Sequence, residues 1–197
     1  MHNSLTALSA RELCQFHFEG NMKKTKSKTK KIYEVLDVAR FVINYGNDEH
    51  DMFISNLKLQ KILYFIQLQF LLNDQKRPCF AENIEAWAFG PVVPEVFREF
   101  KGYMSFGIPP VKTYWDLSHG LWYAEKKEYV TKISPEDQKT IIAVVEKCHR
   151  YSNTELGNIA CNQTPWMQAK GKNTVISVNS MIEFLSKGEN LSQLPTH

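Results

Sequence analysis

Several kinds of residue that would make this an unusual chain are scarce. Its 197 residues hold only 9 Gly and 8 Pro, too few for a collagenous or linker-like polymer. Four cysteines, Cys14, Cys79, Cys148 and Cys161, show no CxxC spacing. No secretory apolar core precedes them, so they read as reduced thiols of a cytoplasmic protein and not as a disulfide frame. Long apolar runs are missing as well. A membrane span needs about 20 consecutive apolar residues, and the best stretch, Ile62 to Leu72, is interrupted by Gln67 and Gln69. What remains is ordinary for a globular protein: 43% hydrophobic and 12% aromatic residues, too many for global disorder. A chain of this length buries roughly 70% of its unfolded surface without needing a metal or a disulfide.

Charge is unevenly spread. The formal balance is +3, yet Lys23, Lys24, Lys26, Lys28, Lys30 and Lys31 form a run with no acid inside it. The other 18 basic residues stand against 21 acidic ones, so the remainder of the chain carries −3. Residues 1–31 therefore read as a basic, disordered arm, able to contact a polyanion or a partner but most simply a solvated leader. Met22, directly before the lysine run, reads as a natural start, with residues 1–21 an upstream extension.

Behind the arm, helix signals dominate. Ile32, Val35, Leu36, Ala39, Val42 and Ile43 form one apolar stripe, which predicts a helix to Tyr45 stopped by Gly46 and Asn47. A loop to Phe53 follows, then Ser55 as N-cap of a helix to about Leu72. That helix is apolar almost all round, as expected of an element buried at the centre of its domain. Ile84 to Phe89 reads as a short strand closed by a Gly90-Pro91 turn, and Pro94 as the first residue of a short helix to Lys101. The Leu121-Trp122-Tyr123 and Tyr129-Val130 clusters, split by charged residues, suggest a hairpin within 115–132. Ser134-Pro135-Glu136-Asp137 marks a helix start, and Ser152 with Glu155 forms a capping box. Pro165-Trp166 opens a segment to Ala169. Ser177 caps a last helix over 178–186, which Gly188 ends. The expected fold is mainly α, a compact helical domain over 32–188 with a small β-hairpin or extended element, followed by a flexible tail over 189–197.

Chemistry is hard to find in this pattern. The six histidines have no i, i+4 partner of ligand type, so no metal is expected. No phosphate-cradling glycine loop and no GxSxG elbow is present, and no cofactor is implied. No catalytic residue is assigned. Three motifs stand out instead. The first runs Leu57 to Phe65 and includes Leu59, Gln60, Lys61 and Tyr64. The second runs Ile84 to Phe97, with Glu85, Trp87, Gly90, Pro91 and Pro94. Pro165 and Trp166 open the third. Each residue reads either as fold maintenance or as the lining of a groove for a partner, since aromatic and amphipathic side chains dominate such sites.

In order and spacing these motifs resemble the Panacea domain, also described as the SocA-like or GepA-like phage-associated domain. The resemblance covers roughly 32–186 and rests on Leu59, Gln60, Lys61, Tyr64, Trp87, Gly90, Pro91, Pro94, Pro165 and Trp166. It implies a compact helical fold and the antitoxin half of a type II toxin–antitoxin pair, a binding protein and not an enzyme. The implied partner is a cognate toxin protein encoded by an adjacent gene, plausibly of the small alarmone synthetase type. One departure is visible. Where many members carry a Thr-His pair followed by an acid, this chain has Ala160, Cys161, Asn162 and Gln163, which weakens any enzymatic reading further. Two other readings stay open: an adaptor delivering a bound protein to a protease, and, less favoured, a nucleic-acid-associated regulator working through the lysines. An enzyme of undetected mechanism ranks below both.

Overall fold

A computed structural model describes residues 31–50, 52–73, 77–103, 105–171 and 175–188; the lysines from Lys23 to Lys30 and the expected tail over 189–197 lie outside these. Helix α1 spans Val35–His50 and α2 spans Asn56–Asn73. Strands β1 (Ile84–Trp87) and β2 (Gly90–Val92) lead into α3 (Pro94–Glu99). A second pair, β3 (Thr113–Asp116) and β4 (Glu125–Glu128), precedes α4 (Pro135–His149). The chain continues through α5 (Asn153–Cys161), α6 (Thr164–Ala169), β5 (Val175–Ile176) and α7 (Val178–Ser186). The protein is thus mainly α with small antiparallel elements.

Local chemistry explains most boundaries. The Ser134 hydroxyl accepts from Asp137 N–H at the start of α4, Ser177 caps α7 by the same device, and Ser152 with Glu155 completes both halves of a capping box on α5. Pro94 occupies the first turn of α3, where its missing N–H costs nothing. One expected boundary is displaced. Helix α1 does not stop at Gly46 but runs on to His50. The Ile54 side chain packs where a Gly46 Cβ would stand, so this glycine serves a close approach inside the helix instead of ending it.

Helix α2 is the axis of the fold. Its apolar residues Leu59, Ile62, Leu63, Phe65, Ile66, Leu68, Phe70 and Leu71 are all buried, and α1, α4, α5 and α7 pack around it with β2. Strand β1 lies between β2 and β5 in an antiparallel sheet, with Glu85 opposite Val92 and Ile84 opposite Ile176. The expected Gly90-Pro91 turn is also displaced. Ala88 and Phe89 form the turn, while Gly90 and Pro91 belong to β2, paired with Trp87 and Ala86.

The expected hairpin exists, but the aromatic clusters are not its strands. Thr113–Asp116 pairs with Glu125–Glu128, and Leu121–Tyr123 forms a 3-10 turn between them. The base of the hairpin is fixed to α1. Asn44 accepts from Val111 N–H at 2.6 Å and donates to Val111 C=O at 3.1 Å. The Arg40 guanidinium stacks 3.9 Å from the Tyr114 ring centre, and the Tyr129 hydroxyl donates to Asp37 C=O.

Candidate functional site

Three motifs distant in sequence meet on one side of α2. Gln60 uses both ends of its amide: Oε1 accepts from Val93 N–H at 2.9 Å and Nε2 donates to Asn56 Oδ1 at 2.8 Å. Asn56 in turn donates to Phe97 C=O. One turn along α2, the Tyr64 hydroxyl donates to Gln163 Oε1 at 2.8 Å, and burial pushes its phenol well above the usual range. The segment that joins β2 to α3 and the segment between α5 and α6 are thereby bonded to one helix.

Lys61 lies between those two anchors and is only 1% exposed. Its Cε and Nζ lie 3.0 and 3.4 Å from the point where a Gly90 Cβ would stand, with Cys161 Sγ 3.7 Å from the same point. Gly90 has φ +110, a conformation that side chains rarely adopt. Glycine is therefore required there twice over, for its backbone and for the space that Lys61 fills. Burial lowers the Lys61 amine to about 8, while the Cys161 thiol acts weakly in the opposite direction. Burial raises the Cys161 thiol, and Lys61 and Lys170 oppose that rise. Lys61 Nζ, Gln163 Nε2 and Trp166 Nε1 are buried donors without a hydrogen-bond partner among the described residues. The Trp166 ring carries Lys170 Nζ 4.8 Å from its centre.

Most signature residues are interior. Leu59, Gln60, Lys61, Tyr64, Gly90, Pro91, Pro165 and Trp166 are buried, so their first duty is to assemble the domain. Glu85, Trp87 and Pro94 reach its surface. Trp87 Nε1 donates to Glu85 Oε2 at 2.7 Å, and its ring meets Phe97 edge to face at 5.1 Å. Glu85 and Pro94 also line a cleft of about 280 Å³ with Glu82, Asn83, Val93, Glu95 and Arg98. Burial and the neighbouring carboxylates of Glu82, Glu34 and Glu99 raise Glu95, despite Arg98. Gln163 stands where the resemblance predicts an acid, and it packs as the acceptor for Tyr64 without capping α6 by its side chain. Among the lysines of the basic run, Lys31 is described; its carbonyl accepts from Arg77 at 2.5 Å and its amine lies 5.8 Å from the Tyr33 ring centre.

A different surface is richer in contact chemistry than the signature residues. Leu121, Trp122 and Tyr123 project from the hairpin turn at 82%, 97% and 73% exposure. The sequence contains the signal for this. Three bulky apolar residues fall together in the connection between two four-residue strands, Thr113–Asp116 and Glu125–Glu128. Among the described residues, no group of three His, Cys, Asp or Glu could hold a metal ion, and no helix is long and apolar enough to cross a membrane.

The family described as "Antitoxin SocA-like, Panacea domain" matches residues 59–167, which include most of α2, the β1–β2 unit, the aromatic hairpin, α4, α5 and the start of α6. A protein named "Antitoxin SocA" from Caulobacter vibrioides is 54% identical over 65 residues, covering 32% of this chain and 34% of that relative. The match thus spans about a third of the relative's own length. No solved structure matches. With more than half of its length accounted for by that model, the chain belongs to the family described as "Antitoxin SocA-like, Panacea domain".

Proposed function

We propose that this protein is the antitoxin of a type II toxin–antitoxin pair and neutralises its toxin by direct protein–protein contact. The observation that carries this reading is the family match over 59–167, the region that includes the whole signature cluster. The geometry supports a binding role over catalysis. Gln60 and Tyr64 spend their polar groups on holding neighbouring segments, and the Lys61 amine is enclosed and not presented to a substrate. The partner is a toxin protein encoded by the adjacent gene, plausibly of small alarmone synthetase type, and the pair acts in the cytoplasm. No cofactor enters this reading.

The test is co-expression with the neighbouring gene, reading growth and then co-purification. The expected outcome is restored growth with a stoichiometric complex that buries on the order of 1,200–2,000 Å². Growth arrest that persists despite soluble expression of this chain removes the reading. Rescue accompanied by a shortened half-life of the partner, with no stable complex, replaces it with delivery to a protease.

A further inference from the structure

We propose that the toxin-docking element is the aromatic ridge of the β3–β4 hairpin, and that it enters an uncharged, apolar groove on the toxin. This inference rests on the binding role proposed above and names its surface. Strand alternation orients the ridge. Tyr114 turns inward onto Arg40, so Trp115 and Leu117 face away from the body. Trp115 and Leu117 are 61% and 51% exposed, and the turn adds Leu121, Trp122 and Tyr123. Together these five side chains leave roughly 800 Å² in water, about one partner's share of a stable interface. Tryptophan and tyrosine are also the residue types that most often dominate binding energy.

Charge identifies the occupant's chemistry. From Leu117 to Ala124 the chain has no Asp, Glu, Lys or Arg. On the ridge's face β4 adds one charge of each sign, Lys126 opposite Trp115 and Glu128 opposite Thr113, while on the inward face Lys127 Nζ bonds Asp116 Oδ2 at 2.5 Å. A ridge without net charge, beside the balanced strand Glu125-Lys126-Lys127-Glu128, offers no excess of cations to a polyanion or to an anionic lipid surface. A projecting apolar hairpin fits a concave apolar site on a protein. The base is already fixed to α1 through Asn44, Arg40 and Tyr129, so little ordering remains to be done on binding.

The decisive variants are Trp122→Ala alone and with Leu121→Ala, in the full chain. Both side chains are almost wholly in solvent, so the circular dichroism spectrum and melting temperature should match the wild type. The wild-type chain and each variant are co-expressed with the product of the neighbouring gene, and affinity is then measured on the purified proteins. The expected result is a loss of about thirtyfold or more in affinity for Trp122→Ala, and loss of growth rescue for the double variant. Rescue by the double variant equal to the wild type overturns the ridge and leaves the antitoxin reading standing. Failure of the wild type itself overturns that reading and the ridge with it. Self-association of the free chain that vanishes in Trp122→Ala, seen by light scattering, assigns the ridge to a second copy and also overturns the proposal.

Discussion

Lys61 places a primary amine where α2, β2 and α5 converge, and burial takes it to about 8 against the opposing Cys161 thiol. In the unfolded chain the same amine titrates near its ordinary value of about 10.4. Between those two values the unfolded chain holds a proton that the folded chain lacks, so this residue makes stability rise with pH from about 8 to 10. Below about 8 its full penalty is present, on the order of 3 kcal/mol. The buried thiols have the opposite sign. Burial raises Cys148 to about 12 and Cys79 further still, so the unfolded thiols lose their protons first and stability falls above their ordinary values. Comparing wild type with Lys61→Met at each pH separates the two effects. The variant is expected to be more stable by roughly 1–3 kcal/mol at pH 7, with the gap closing towards pH 10. Urea denaturation at four pH values measures it. A gap that stays constant with pH would show that Lys61 titrates normally in the fold.

At the scale of elements, α2 carries a buried polar row along its greasy surface. Asn56, Gln60, Tyr64 and Gln67 recur at steps of four, four and three, and each bonds a different segment. Gln67 holds the stretch before β1: its Oε1 accepts from Cys79 N–H at 2.9 Å and its Nε2 donates to Phe80 C=O at 3.0 Å. Gln67→Leu keeps the bulk but takes this partner from Cys79 N–H, Phe80 C=O and, at 3.4 Å, Phe80 N–H, at a cost of about 2–4 kcal/mol. A midpoint in urea within error of the wild type would rule this out. The row also shows what the sequence could and could not tell. Caps were legible because Ser134, Ser152 and Ser177 each act on the residue three positions on, and helix order followed. The burial of α2 was equally plain. Which polar residues on it were anchors was not, because Gln60 and Gln67 find their backbone partners 12 to 33 residues away. The two-residue strand β5 left no pattern at all; it exists because Ile84 and Glu85 lie ready to pair. The signature motifs were visible as motifs, yet their residues proved to be mostly interior, while Leu121-Trp122-Tyr123, which suggested a hairpin, forms its exposed turn.

For the whole molecule, two chemistries of attraction are separated along the chain. The described residues from Lys31 on form one compact unit, and five of the six clustered lysines precede it in the sequence. Attraction by lysines is screened within about 10 Å at 0.1 M salt, whereas burial of an aromatic ridge is almost indifferent to ionic strength. The two therefore respond differently to one titration. A chain beginning at residue 31 contains the hydrophobic core formed by the described residues, from Tyr33 to Phe184, so it is expected to fold with a stability within about 1 kcal/mol of the full chain. Its affinity for the toxin should change by less than about threefold between 0.1 and 0.5 M salt. Binding of the full chain to unrelated DNA, if the lysines support any, should instead fall with a log–log slope approaching about −5, set by the number of phosphates neutralised. Toxin binding by the full chain that falls as steeply as this, and vanishes in the shortened chain, would place the anchor in the arm and not on the hairpin.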